Sequence, residues 1–172
     1  MEPIIRSRFL PDLIKDGQFR PESRLWIYVA ERPLTDMECA VAESALQNFT
    51  ESWTAHQQAL KAGAEIWNRQ FIFLVVDESQ AGASGCSIDK SVHFLEQLSS
   101  QLQIDFFDRM RFAWIEADGG VNIHQLNMLP SLVQSGAIQP STLMVNTLVK
   151  TLGELEQNWL VPFNESWQVR FA

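Results

Sequence analysis

Cysteine is scarce in this chain of 172 residues, which holds only Cys39 and Cys86. Two thiols cannot build the disulfide framework of a small secreted domain, and a chain this long can bury a core without one. Both are expected to be reduced. Histidine is almost as rare, and His56, His93 and His124 are scattered. No zinc spacing of the CxxC or HExxH kind exists, so neither a metal nor a cofactor is expected. Long apolar runs are missing too: the longest, "FIFLVV" at 71–76, is far below the ~20 residues of a membrane span. The opening "MEPIIRSRFLPDLIKDG" lacks the apolar core of roughly 7–15 residues that a secretory signal needs. These absences predict a cytoplasmic protein without membrane insertion. Positive charge is in deficit, 13 basic against 21 acidic residues for a net −8. Such a surface repels phosphate backbones and anionic lipid heads, which argues against nucleic acid as a partner.

What is present is apolar and aromatic: 46% hydrophobic residues, with six Trp and eleven Phe. That is the composition of one globular domain over 1–172. Residues 1–23 read as an irregular arm packing through Ile4, Ile5, Phe9, Leu10 and Leu13, residues 24–149 as a sheet-and-helix body, and residues 150–172 as a helix with a docked aromatic tail. "RLWIYVAER" is a strand pattern closed by Pro33. "TDMECAVAESALQNFTESW" opens with Thr35 and Glu38 at capping-box spacing, and its Ala42, Leu46, Phe49 and Trp53 recur at helical period. "TAHQQALKAGAE" reads as a second helical piece ending at Gly63. "FIFLVV" does not alternate, which predicts a strand covered on both faces. "SIDKSVHFLEQLSSQLQI" is a core-facing helix, and "RFAWIEA" and "VNIHQL" flank the turn "DGG". A short helix, the strand "TLMVNTLV" and the helix "KTLGELEQNW" follow. This order predicts an α/β (α+β) fold, a mixed sheet of about five strands with helices packed on it.

Between "FLVVDES" and the next helix lies "QAGASGCSIDKS". The end of a buried strand, two glycines and a helix start coincide there, and unpaired N–H groups at a helix N-terminus suit an anion. Asp77, Gly82, Ser84, Gly85, Cys86, Ser87 and Asp89 are the candidate ligand-binding residues for a small anion. The same field favours a thiolate at Cys86, which makes Cys86 a candidate catalytic nucleophile with His56 as its base. The plainer reading is a helix cap with a packed cysteine. His93 follows Asp89 by one helical turn and could pair with it. Cys39, inside a helix pattern, reads as core. Arg109 and Arg111 in "DRMR" read as a solvated turn, or else as cations over a neighbouring anion. "GASGCSIDKS" lacks the GxxxxGK[ST] order of a phosphate-binding P-loop, which disfavours nucleotide triphosphate hydrolysis.

"WTAH" (53–56), "LKA" (60–62), "FLVVDESQAGASGCSIDKSVHFL" (73–95), "FFDRM" (106–110), "NTLVKTLGELEQNWLVPFNESW" (146–167) and the final "RF" together resemble an uncharacterised bacterial protein family of about this length. The resemblance covers roughly residues 24–172. Members often carry the label "ABC transporter ATPase", which implies a nucleotide site, and the resemblance assigns no catalytic residue here. "LNMLPSLVQSGAIQPSTLMVN" is similar to small adaptor modules that recognise peptides. Three functions are therefore in play: an anion-binding protein, a cysteine-dependent enzyme and a protein-interaction adaptor.

Overall fold

The computed structural model describes residues 9–172. Ile4 and Ile5, expected to pack with the arm, lie outside the described residues. The arm's first described element is a one-turn helix, α1 (Asp12–Lys15). The backbone N–H groups of Asp12 and Leu13 donate to the carboxylate of Glu65 at 3.0 and 2.8 Å, so a distant side chain caps this helix. Strand β1 (Arg24–Val29) follows. Next comes α2 (Asp36–Ser52), whose capping box at Thr35 and Glu38 is formed as its spacing predicts. Arg32 grips the Glu38 carboxylate with two nitrogens, at 2.9 and 2.8 Å. That grip and the Thr35 N–H pull the Glu38 pKa down to about 2.

The stretch expected to continue as helix is instead a small hairpin, β2 (Thr54–Ala55) with β3 (Gln58–Ala59), running into strand β4 (Lys61–Trp67). His56 and Gln57 both take positive φ, 49° and 65°, the backbone of a two-residue turn that matches strand twist. Pairing with the apolar β5 (Phe71–Asp77) overrides the helical propensity of "ALKAGAE". A second such turn, at Asn68 and Arg69, joins β4 to β5. Then come α3 (Gly85–Leu102), β6 (Arg111–Ile115), β7 (Val121–Gln125), the short α4 (Leu129–Gln134), β8 (Leu143–Val145), α5 (Leu152–Asn158) and β9 (Leu160–Pro162). Two 3-10 turns, Phe163–Glu165 and Trp167–Phe171, close the chain.

The fold is α+β, but it has no single mixed sheet of about five strands as the element order suggests: among the described residues every strand pair is antiparallel. The strands are shared between a three-stranded sheet, β1-β5-β4, and a four-stranded sheet, β7-β6-β8-β9, beside the small hairpin. Residue parity then stacks the layers. Leu25, Val29, Phe71, Phe73 and Val75 of the first sheet meet Ala113, Ile115, Val145 and Leu160 of the second in one core. On the opposite face of the first sheet, Ile72 and Leu74 pack under α2 and α3 through Leu46, Leu95 and Leu98. On the opposite face of the second, Phe112, Trp114 and Met144 pack against Leu129 and Phe163. All seven residues of β5 are buried, which is why its sequence does not alternate. Among the described residues no helix is long and apolar enough to cross a membrane.

Candidate functional site

Asp77 ends β5 with its side chain 2% exposed. Its Oδ1 accepts from Arg20 Nε and Nη2 at 3.1 and 3.0 Å and from the Ser79 N–H at 3.0 Å; Oδ2 accepts from Lys61 Nζ at 3.1 Å. Burial opposes ionisation, but the bonds from Ser79, Lys61 and Arg20 outweigh it and hold the carboxyl well below the usual aspartate range. The group binds the arm, β4 and β5 together. Its neighbour Glu78 folds the loop back, accepting the Ala83 N–H at 2.8 Å.

Ser84 is the N-cap of α3: its Oγ accepts the Ser87 N–H at 3.2 Å, and its carbonyl accepts the Ser87 hydroxyl and the Ile88 N–H. The buried Trp53 indole donates to the Ser87 carbonyl at 2.8 Å. Of the first-turn donors, only the N–H groups of Gly85 and Cys86 have no partner among the described residues. Neither Gly82 nor Gly85 has a positive φ. A Cβ at Gly85 would meet open space, and one at Gly82 only an ordinary contact with Glu78. The glycines are therefore not demanded by backbone conformation, contrary to the expectation that they allow what other residues avoid.

Cys86 and Asp89 are exposed, and so is His56 at the tip of the β2–β3 hairpin. No hydrogen bond or ion pair joins Cys86 to His56, or Asp89 to His93. His93 instead meets Gln97 at 3.1 Å and Glu96 at 3.5 Å. Cys39 packs, partly buried, against the core beneath α2. Among the described residues no group of His, Cys, Asp and Glu is placed to hold a metal.

A different place has the form of a binding site. β1 is the end strand of its sheet. The Ala30 N–H donates to the Gln70 carbonyl at 2.8 Å, so even-numbered residues of β1 bond toward β5 and odd-numbered ones face outward. At one end of this outer edge Leu25 N–H donates to the Lys150 carbonyl at 2.8 Å, beside an antiparallel bridge of Arg24 with Thr151. At the other, Arg111 donates to the carbonyls of Val29 and Asp105, at 2.8 and 3.1 Å, and pairs with the Asp105 carboxylate. Arg111 is thus a buried brace, where the sequence suggested a solvated turn. Between these clasps the N–H groups of Ile27 and Val29 and the Ile27 carbonyl have no partner among the described residues.

The gap has a local cause. β8 stops at Val145, and the Asn146 side chain accepts the Leu148 N–H at 3.2 Å, an Asx turn that carries the chain away from β1. Continued pairing from the bridge would have set Leu148 opposite Ile27. Instead a 410 Å³ groove opens, floored by β1 and walled by Phe107, Arg109, Leu148, Lys150 and Trp167. A 490 Å³ cavity shares Leu148 and Trp167 with it, and a separate one of 610 Å³ lies by Glu116 and Ser141. No residue from 77 to 89 lines any of the three. The sequence signals for the groove were Asn146 and the Asp105–Arg111 pair, and neither is distinctive without the fold. Comparison with protein families, with curated proteins and with solved structures finds no match to this chain.

Proposed function

We propose that the protein is an interaction module that takes an extended polypeptide segment by strand addition along the free edge of β1. The observation that carries this reading is the run of unpaired backbone groups at Ile27 and Val29 inside a groove held open between two clasps. Strand addition supplies main-chain hydrogen bonds for affinity, and pockets on either side read alternate side chains. The anion-binding loop and the Cys86 enzyme have less support. Their residues line none of the cavities above, Asp77 is fully engaged, and no base is bonded to the thiol.

The test is a random dodecapeptide library displayed on phage and selected against the whole protein, with amide hydrogen exchange on the selected complexes. Exchange at Ile27 and Val29 is expected to be fast in the free protein and to slow on binding, and N-methylation at alternate peptide positions should abolish affinity. Selected peptides that leave Ile27 and Val29 unprotected, or a library that yields no binder, would overturn the reading.

A further inference from the structure

We infer that the β1 groove selects an acidic segment, one in which Asp or Glu alternates with apolar residues; this rests on the strand-addition reading above. Of the side chains around the groove, the charged ones left without a partner are cations. The side chains of Arg109 and Lys150 are exposed and form no ion pair or hydrogen bond among the described residues, the Lys150 backbone N–H alone donating to Glu154 at 2.7 Å. The Trp167 indole N–H is buried and has no acceptor. The Tyr28 hydroxyl has no hydrogen-bond partner among the described residues, and its pKa is raised by burial, which the charge of Arg109 partly offsets. The acceptors nearby are already used. Asp108 takes the Met110 N–H at 2.9 Å and Gln125 Nε2 at 2.7 Å. Asp105 takes the Phe107 and Asp108 N–H groups and Arg111.

Two unspent cations beside one groove stand out on a chain with net charge −8. A ligand bringing carboxylates would satisfy them, whereas the side chains of a basic ligand would meet like charge. Alternation follows from β1 itself. Trp26 and Tyr28 face the helix layer, with Arg109 beside Tyr28. Leu25 and Ile27 face the second sheet, which carries Leu148, 60% exposed, just beyond the end of β8. Residues of an added strand would point by turns toward the cation and toward the apolar wall.

The experiment uses the whole protein and the selected dodecapeptides, each compared with a copy whose Asp and Glu are changed to Asn and Gln. Acidic residues are expected at every second position, and the neutral copies should bind about tenfold more weakly at low salt. Arg109→Gln and Lys150→Gln should each cost the acidic peptide roughly threefold to tenfold and leave the neutral copy unchanged, with circular dichroism confirming the fold. Neutral or basic peptides that protect Ile27 and Val29 as tightly as acidic ones would overturn the charge selection and leave strand addition standing. Acidic peptides that bind without protecting those amides would overturn both.

Discussion

Asp77 shows how a residue can look functional in sequence and be structural in the fold. Its carboxylate gathers Arg20, Lys61 and the Ser79 N–H, and Asp77→Asn should lower stability by about 2 kcal/mol in urea unfolding at pH 7. Because its folded pKa is depressed, the unfolded chain binds the proton first on acidification. The stabilisation is therefore full above about pH 4, the ordinary aspartate value, and drains away as pH falls through the lower folded one. The gap between wild type and Asp77→Asn should be constant from pH 7 to pH 5 and shrink below pH 4. Cys86 is the contrasting case: exposed and outside every core cluster. Cys86→Ser should shift stability by no more than about 0.5 kcal/mol, and a thiol reagent should label Cys86 faster than the half-buried Cys39 in the folded protein.

At the level of elements, the N-terminus of α3 depends on Ser84 and not on the glycines around it. Ser84→Ala should cost about 1 kcal/mol, while Gly85→Ala, entering open space without a positive φ, should gain about 0.5 kcal/mol, both read from thermal melts. Gly63 is different, because a Cβ there would lie 2.7 Å from the Phe19 ring. Gly63→Ala should loosen the arm from β4. Much at this level was legible in the sequence. Thr35 and Glu38 marked α2, unbroken apolarity marked β5, and "DGG" marked the β6–β7 turn. The 54–63 segment was misread because its alanines and glutamines favour helix while two non-glycine residues carry the turn. Nor could local pattern divide the strands between two sheets, since that division depends on long-range pairing. The loop after β5 does lead from a strand end into a helix, but the helix begins at Gly85 with Ser84 as its cap, ahead of the "SIDKS" start that the sequence pattern suggests. The β1 groove was not visible, because an unpaired edge is defined by a partner strand that stops short.

At the scale of the whole molecule, one buried side chain braces the two sheets against each other. Arg111 starts β6 in the second sheet and reaches the Val29 carbonyl at the end of β1 in the first. Arg111→Met would strand that carbonyl and take one donor from the half-exposed Asp105 carboxylate, and a loss of about 1–3 kcal/mol is expected in urea unfolding. Because the main core draws side chains from both sheets, heat should still unfold wild type and variant in one cooperative transition, with calorimetric and van't Hoff enthalpies agreeing. The open groove adds an optical consequence. Trp26 and Trp167 border it, and the other four indoles of the chain do not. A guest that displaces water from beside these two rings changes their surroundings, so the molecule carries its own emission probe, and occupancy can be followed as a spectral change without attaching a dye.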